Sequence, residues 1–459
     1  MQEISIENII SGQREFFSTG NTRAVDFRLR TLKSLKAAIV ANEQQINEAL
    51  QKDLRKPLME SYTSEIGFVI NEINCALKNL RKWTRPARVL PSFMVFPSRS
   101  FVLNEPYGVA LIIGAWNYPF QLTLGPLVGA VAAGNCCIVK PSELAPESSR
   151  IVSKIIGEAF DGAHVAAVEG GVDAGRNLLE QKFDKIFFTG SPGVGKIVAE
   201  MAAKHLTPVT LELGGKSPCI VDRDAEFDAA ARRILWGKFL NAGQTCIAPD
   251  YALVHREVKE KLYAAFRRWL GTFYTDHPET SPDFSRIVNA RHFTRLKGYL
   301  GEGRIILGGQ YDENGLYIAP TVMEMDNMDS PVMREEIFGP ILPVIEFTTL
   351  EEAEKIIGLN PDPLAFYIFS KNGRTAKRLT EAIPFGGGCI NDTLSHILNH
   401  RLPFGGRGNS GMGSYHGKFG FDAFSHRKSV LKKGFRFDMK MKYPPYGDGH
   451  KYLKKFLMK

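Results

Sequence analysis

Between Gly108 and His205 short apolar runs alternate with stretches of helical spacing, and this alternation constrains the fold more than any other feature of the chain. Gly108 to Gly114, Cys136 to Lys140, Val165 to Gly170 and Lys185 to Thr189 are predicted strands of nearly continuous apolar character. Helices are predicted up to about Ala133, over Pro146 to Phe160, around Asp173 to Gln181 and over Val194 to His205. Strands joined by helices of that length run parallel, since parallel neighbours need a crossover connection. The expectation is an α/β fold on a Rossmann-like, doubly wound parallel sheet. Such sheets bind ligands at the carboxyl ends of their strands.

A glycine-rich crossing, Glu212 to Ser217, leads into a second α/β region. It holds strands at Cys219 to Asp222, Tyr251 to His255, near Arg304 to Leu307 and at Ile341 to Phe347, with helices over Phe227 to Leu240, Val258 to Phe273, Leu350 to Ile357 and Thr375 to Ile383. Ahead of the alternation, Ala24 to Ala41, Glu43 to Leu54 and Tyr62 to Trp83 have helical spacing. Ala87 to Tyr107 breaks into short extended pieces, Ser92 to Phe96 and Ser98 to Leu103, around Pro97. This hairpin-like excursion exposes apolar residues and is a candidate subunit contact.

Composition excludes several classes. At 459 residues and 44% hydrophobic content the chain can form two or three packed domains. The six cysteines show no metal-ligand spacing, so no metal is expected and reduced, cytoplasmic thiols are. The start, Met1-Gln-Glu-Ile-Ser5, lacks the basic and apolar pattern of a secretory signal. Tyr107 to Val139 is too interrupted by Asn117, Pro119, Gln121, Pro126 and Asn135 to span a membrane. The formal charge is +9, and ten Lys or Arg against Asp438 and Asp448 place nearly all of it between Lys428 and Lys459. The near-neutral remainder argues against a nucleic-acid groove. The basic tail, interleaved with Phe435, Phe437, Tyr443, Tyr452 and Phe456, suits either packing on a neighbouring subunit or weak contact with an anionic membrane surface.

Chemistry concentrates in a few motifs. Asn241-Ala-Gly-Gln-Thr-Cys-Ile-Ala-Pro-Asp250 surrounds Cys246 with small residues, and Glu212 lies upstream in Leu211-Glu-Leu-Gly-Gly-Lys-Ser-Pro218. A thiol can attack a carbonyl, and a carboxylate can activate the thiol or the water that releases product; an ion pair of Glu212 with Lys216 is the structural alternative. Asn117, in Ala115-Trp-Asn-Tyr-Pro-Phe120, offers either an amide donor to a developing oxyanion or a cap on the next helix. Phe187-Phe-Thr-Gly-Ser-Pro-Gly-Val-Gly-Lys196 follows a strand and opens a helix, as a pyrophosphate site does. It also fits the start of a phosphate-binding NTPase loop, against which stands Ile197 where a Mg²⁺-binding hydroxyl is needed. Lys140 and Glu143, at a strand end, either reach ribose hydroxyls or form an exposed turn. Arg334-Glu-Glu-Ile-Phe-Gly-Pro340 is a further cluster, and Leu402 to Gly413 reads as an irregular glycine-rich loop.

With these residues in view, the chain resembles the aldehyde dehydrogenase superfamily, most closely its class 3 branch. Seven separated motifs carry the likeness: Trp116-Asn-Tyr-Pro-Phe120, Lys140-Pro-Ser-Glu143, Phe188-Thr-Gly-Ser191 with Gly195, Glu212-Leu-Gly-Gly-Lys216, Gly243-Gln-Thr-Cys246, Glu336-Ile-Phe-Gly-Pro340 and Leu402-Pro-Phe-Gly-Gly406. Class 3 character rests on Cys246-Ile-Ala-Pro-Asp-Tyr251, Ser410 to Gly417, Tyr443-Pro-Pro445 and the short N-terminus.

The resemblance implies oxidation of aldehydes to carboxylic acids with NAD or NADP, through a thiohemiacetal and a thioester on Cys246. It implies that Asn117 holds the oxyanion and that Glu212 activates the hydrolytic water. Cofactor contacts would come from Trp116, Lys140, Glu143, Gly190, Ser191, Gly195, Leu213, Gly214, Glu336 and Phe338, and substrate contacts from Tyr118 and Phe404. It implies an NAD(P)-binding domain over 1–86 and 105–211, a catalytic domain over 212–420, and oligomerisation segments at 87–104 and 421–459 of a homodimer. Pro192-Gly193 departs from the usual pattern. His396, His400 and Arg407 near Phe404 suggest a preference for acidic or polar aldehydes. A coenzyme A-acylating enzyme and a catalytically silent relative are the alternatives.

Overall fold

The computed structural model describes residues 5–326, 328–439 and 442–458. Residues 1–4 of the start read for a signal, and Lys440 and Lys459 of the basic tail, lie outside the described residues, as does the Phe456 side chain. The chain divides into two compact units, residues 1–83 with 106–425, and residues 84–105 with 426–459.

Among the described residues the larger unit holds two large sheets and a two-stranded antiparallel ribbon of Tyr311–Asp312 with Tyr317–Ile318. In the first, the parallel strands run in the order Val209–Leu213, Lys185–Gly190, Val109–Ile113, Cys136–Lys140, Val165–Ala167, and Gly411–Met412 adds an antiparallel edge beside Val209–Leu213. The order turns back between Val109–Ile113 and Lys185–Gly190, so this sheet has a topological switch point there, where a ligand crevice opens. The helix Gln121–Ala133 between the first two strands is buried on every side, which suits its lack of a polar face. The expected alternation is present, with boundaries within a few residues of those predicted.

The second sheet runs Arg304–Leu307, Thr321–Glu324, Ile341–Phe347, Tyr251–His255, Pro218–Val221, Ala365–Phe369, Gly387–Ile390. It is parallel except at its first pair. Thr321–Glu324, Ala365–Phe369 and Gly387–Ile390 are absent from the sequence prediction, as are the helices Ile6–Ser18 and Ala290–Tyr299. Glu212 corrects another expectation: it lies within the strand Val209–Leu213 of the first sheet, paired with Thr189 and Gly411, and not on a loop of the second region. Val209 to Leu213 alternates polar and apolar residues, so it lacks the continuous apolar run of its neighbours.

In the smaller unit, Ala87–Val89, Ser98–Pro106 and Ser425–Lys433 form a three-stranded sheet. Ala87 pairs antiparallel with Val102, so the hairpin is present, but Phe93–Val95 is a 3₁₀ turn and not the extended piece expected. Pro91 and Pro97 bracket it, and proline cannot donate to a strand ladder. The helix Gly449–Leu457 sets Tyr452 and Leu457, both exposed, among Lys451, Lys454 and Lys455.

Candidate active site

The carboxyl ends of the first sheet open into a cavity of about 1240 Å³ within the larger unit. Trp116, Asn117, Tyr118, Lys140, Glu143, Gly190, Ser191, Glu212, Leu213, Gly214, Cys246, Glu336, Phe338 and Phe404 all line it. Of the catalytic, cofactor and substrate residues that the resemblance implies, only Gly195 is off the wall. It lies in the helix Pro192–Ala203, where a Cβ would stand 2.5 Å from the Leu213 side chain. It packs that helix closely against the strand, and the helix N-terminus reaches the cavity through Ser191 and Val194. Ser191 caps that helix by accepting the Val194 N–H at 3.4 Å, and a free first turn of this kind favours an anion.

Cys246 follows a turn that the backbone adopts at a cost. Asn241, Ala242 and Gly243 have successive φ values of +52°, +51° and +74°, a left-handed run that only surrounding contacts can hold. Gly243 is required, because a Cβ would meet the Gly339 carbonyl oxygen at 2.2 Å. The Asn241 side chain donates to the carbonyls of Asn117 at 2.8 Å and Gln244 at 3.2 Å. Gln244 donates to the carbonyls of Asn241 and Arg286 and accepts the Val288 N–H. Tyr118 and Thr245 share a 2.6 Å hydroxyl contact, and the Tyr367 hydroxyl donates to the Ile247 carbonyl. Cys246 keeps part of its surface open. Burial pushes its thiol up, and the carboxyls of Glu336 and Glu212 push it further.

Asn117 donates through Nδ2 to the Gln244 carbonyl at 3.0 Å. It does not cap the following helix: the Glu65 carboxylate accepts the N–H groups of Phe120 and Gln121. Glu65 is itself paired with Lys56, both fully buried, and Lys56 also donates to the Asn117 carbonyl at 3.0 Å. A buried ion pair thus fixes the backbone that presents Asn117, a support that nothing in the local sequence signals.

Glu212 is buried, neither carboxylate oxygen has a hydrogen-bond partner among the described residues, and desolvation pushes its pKa well up. Lys216, its alternative partner, is committed elsewhere. It pairs with Asp250 at 2.6 Å and donates to the carbonyls of Val332 and Glu335. Asp250 in turn accepts the Ile337 N–H at 3.1 Å, while Arg295 donates to the carbonyls of Glu336 and Ile337. These three side chains tie down the Glu336 to Phe338 turn, in which Phe338 has φ +51°. The Glu336 carboxyl lies against Gly214, where a Cβ would be 1.9 Å from Oε2. Burial, reinforced by Asp250, raises its pKa to about 8. The Trp116 ring stands 5.2 Å from both Phe338 and His292.

Lys140 is buried and paired with Glu143 at 2.9 Å. His396, His400 and Arg407 correct the expectation of a positive substrate side, for none lines the cavity. His400 is bound to Glu72, Arg407 to Asp362, and His396 is half-buried, its pKa lowered by desolvation to about 4. The wall itself includes the apolar and aromatic side chains of Phe68, Leu122, Trp236, Phe273, Leu398 and Phe404.

The cavity fits a dinucleotide. Glu336 Oε1 and Thr189 Oγ1 are buried without hydrogen-bond partners among the described residues, Gly214 leaves backbone room, and a capped helix N-terminus faces the space. Its volume exceeds that of a usual single-ligand pocket. A sequence model of the aldehyde dehydrogenase family matches residues 2–430. The chain is 46% identical over 453 residues to the 4,4'-diaponeurosporen-aldehyde dehydrogenase of Staphylococcus aureus, covering 98% of this chain and 99% of that one. It is 46% identical to aldehyde dehydrogenase family 3 member B1 of Rattus norvegicus, over 96% of this chain and 95% of the relative. A solved substrate-bound state of Staphylococcus aureus AldH superposes with a TM-score of 0.96 at 46% identity, covering 99% of each chain. An indole-3-acetaldehyde dehydrogenase complexed with NAD+ superposes with a TM-score of 0.85 at 26% identity, over 93% of this chain and 88% of the other.

Proposed function

The chain belongs to the aldehyde dehydrogenase family, and from that premise we propose that Cys246 is its nucleophile, Asn117 its oxyanion donor and Glu212 its general base. One observation carries the reading: these three side chains share one cavity wall, and both Glu212 oxygens there are without hydrogen-bond partners among the described residues. Cys246 Sγ gives up its proton to water and forms a bond to the aldehyde carbon as the C=O π bond opens, and Asn117, with one amide N–H already spent on Gln244, has a second for the oxygen that gains charge. Bound NAD or NADP supplies the hydride acceptor. The residue left on Cys246 is then a thioester. Glu212 takes a proton from water as that water adds to the thioester carbon; the C–S bond breaks, releasing a carboxylic acid and restoring the thiol.

Trp116, Lys140, Glu143, Gly190, Ser191, Leu213, Gly214, Glu336 and Phe338 are assigned to the cofactor. Lys140 and Glu143 would face the ribose, Ser191 the pyrophosphate, and Glu336 with Phe338 the nicotinamide end. Tyr118 and Phe404 belong to the substrate side, whose apolar lining suits an apolar aldehyde. The cofactor domain is assigned to 1–86 and 105–211 and the catalytic domain to 212–420. Segments 87–104 and 421–459 are assigned to a homodimer interface, with weak contact of the basic tail to an anionic membrane surface. Six free cysteines support a cytoplasmic setting. No helix among the described residues is long and apolar enough to cross a membrane.

The test is a panel of aliphatic and aromatic aldehydes with each cofactor, read by NAD(P)H absorbance, with and without coenzyme A and with Cys246→Ala as control. Acid formation without coenzyme A, lost in the variant, supports the hydrolytic reading. Dependence on coenzyme A would assign the acylating one.

A further inference from the structure

The charge on the substrate side has the opposite sign to the one suggested by His396, His400 and Arg407. Glu60 and Asp283 line the cavity, beside Met59, Trp236 and Tyr274. Met59, Trp236 and Asp283 are exposed, so this part of the wall meets solvent. Glu60 is also fixed in place, because its Oε2 accepts the Asn241 N–H at 2.9 Å at the start of the left-handed turn before Cys246.

The groups facing Glu60 are Lys56, Asp283, the Ser285 hydroxyl, the Asn241 N–H and the phenols of Tyr118 and Tyr274. Lys56, the cation among them, is committed to Glu65 at 2.5 Å and to the Asn117 carbonyl, with its ammonium 4.1 Å from the Tyr118 ring centroid. Of the cations on the cavity wall, Lys140 is paired with Glu143, Arg295 is held on the carbonyls of Glu336 and Ile337, at the end assigned to the dinucleotide, and Arg176, Lys204 and Arg291 are exposed.

We propose that Glu60 is a specificity-determining residue, whose carboxylate on the substrate wall selects against aldehydes bearing a second, anionic carboxylate and in favour of uncharged aldehydes of the same length. This rests on the reading of Cys246 as the nucleophile of this cavity. Burial raises the Glu60 pKa to about 7; the Asn241 N–H and Lys56 oppose that rise and Asp283 adds to it. Discrimination is therefore weak where Glu60 is protonated and strengthens as pH rises through neutrality.

The experiment compares hexanal with 6-oxohexanoate in the wild type, Glu60→Gln and Asp283→Asn, taking the ratio of kcat/KM values from about pH 6 to about pH 8.5. The ratio within one protein cancels any general loss from a weakened Asn241 contact. In the wild type it is expected to rise in favour of hexanal by about tenfold. In Glu60→Gln it stays flat, with the anionic aldehyde relatively improved. In Asp283→Asn the rise persists but begins at lower pH, because the neighbour that raises the Glu60 pKa is neutral. A flat wild-type ratio, or an undiminished rise in Glu60→Gln, overturns the proposal. Hexanal oxidation that survives Cys246→Ala would instead overturn the underlying assignment of the nucleophile, a separate and distinguishable failure.

Discussion

The Asn117 side-chain amide donates to the Gln244 carbonyl at 3.0 Å, two residues before Cys246. The group assigned to the oxyanion therefore also braces the nucleophile's own backbone. Asn117→Ala is expected to lower kcat by roughly 10² to 10³, the usual effect of removing one oxyanion donor. It also leaves the Gln244 carbonyl without that bond, at a cost of about 1 kcal/mol or more of stability. Steady-state kinetics and denaturant unfolding on one preparation separate the two. Unchanged kcat beside reduced stability would make Asn117 a brace only.

Cys246 carries a thiol raised first by burial and then by Glu336 and Glu212. Its alkylation by iodoacetamide, which needs the thiolate, is expected to climb with pH up to and beyond the ordinary thiol range. Glu212→Gln removes one repelling charge once that carboxyl has ionised, so it should speed alkylation several-fold at alkaline pH, by the Coulomb term of a near neighbour. Peptide mapping assigns the modified site. Slower reaction in the variant would show that Glu212 draws the proton from the thiol.

Glu212 has the deeper consequence for turnover. Its raised pKa means that the base form appears only as pH rises, so the hydrolytic step should accelerate towards alkaline pH. In Glu212→Gln the first turnover should still yield NAD(P)H as a burst. Steady-state turnover should then fall by about 10² to 10⁴, the scale of general base catalysis. Intact-mass measurement should show the acyl adduct on Cys246. A variant with neither burst nor adduct would place Glu212 before the thioester.

These groups were legible in the sequence because each stands in a short motif whose chemistry is local. Cys246 lies among small residues, and Asn117 lies in an otherwise apolar loop. Strands such as Tyr251–His255 were legible because burial on both faces leaves a continuous apolar run. What escaped was pairing over distance. Lys56 with Glu65, Lys216 with Asp250 and Glu72 with His400 are set by tertiary packing, and no spacing rule connects them. The same limit misplaced the charges expected beside Phe404, since nearness of His400 and Arg407 to Phe404 along the chain does not bring them to the wall.

Glu336 makes stability depend on pH. Its folded-state pKa is raised from 4.5 to about 8, so the folded protein binds this proton more tightly than the unfolded chain. The resulting contribution is fully present below the unfolded value and is lost as pH rises through about 8. Glu336→Gln removes the titration. Its unfolding free energy, read by denaturant titration, should therefore fall less than that of the wild type between about pH 5 and about pH 9, a difference on the order of a few kcal/mol at most. Parallel pH curves for the two proteins would show the carboxyl is not protonated in the folded state.

Asp250 joins the nucleophile segment to the Glu336 turn, holding Lys216 at 2.6 Å and the Ile337 N–H at 3.1 Å, with the buried Lys238 ammonium 3.9 Å away. Asp250→Asn would leave two buried lysines without a carboxylate. The expected loss is about 3 to 5 kcal/mol, the cost of breaking a buried pair from one side. Lys216→Met should be destabilising as well, and the double variant should lose less than the two single losses combined, since each member costs most when its partner remains. Because the pair also fixes the Glu336 turn, the cofactor KM should rise in each single variant. Additive losses in the cycle, with an unchanged cofactor KM, would show that Asp250 and Lys216 act independently and away from the nicotinamide end.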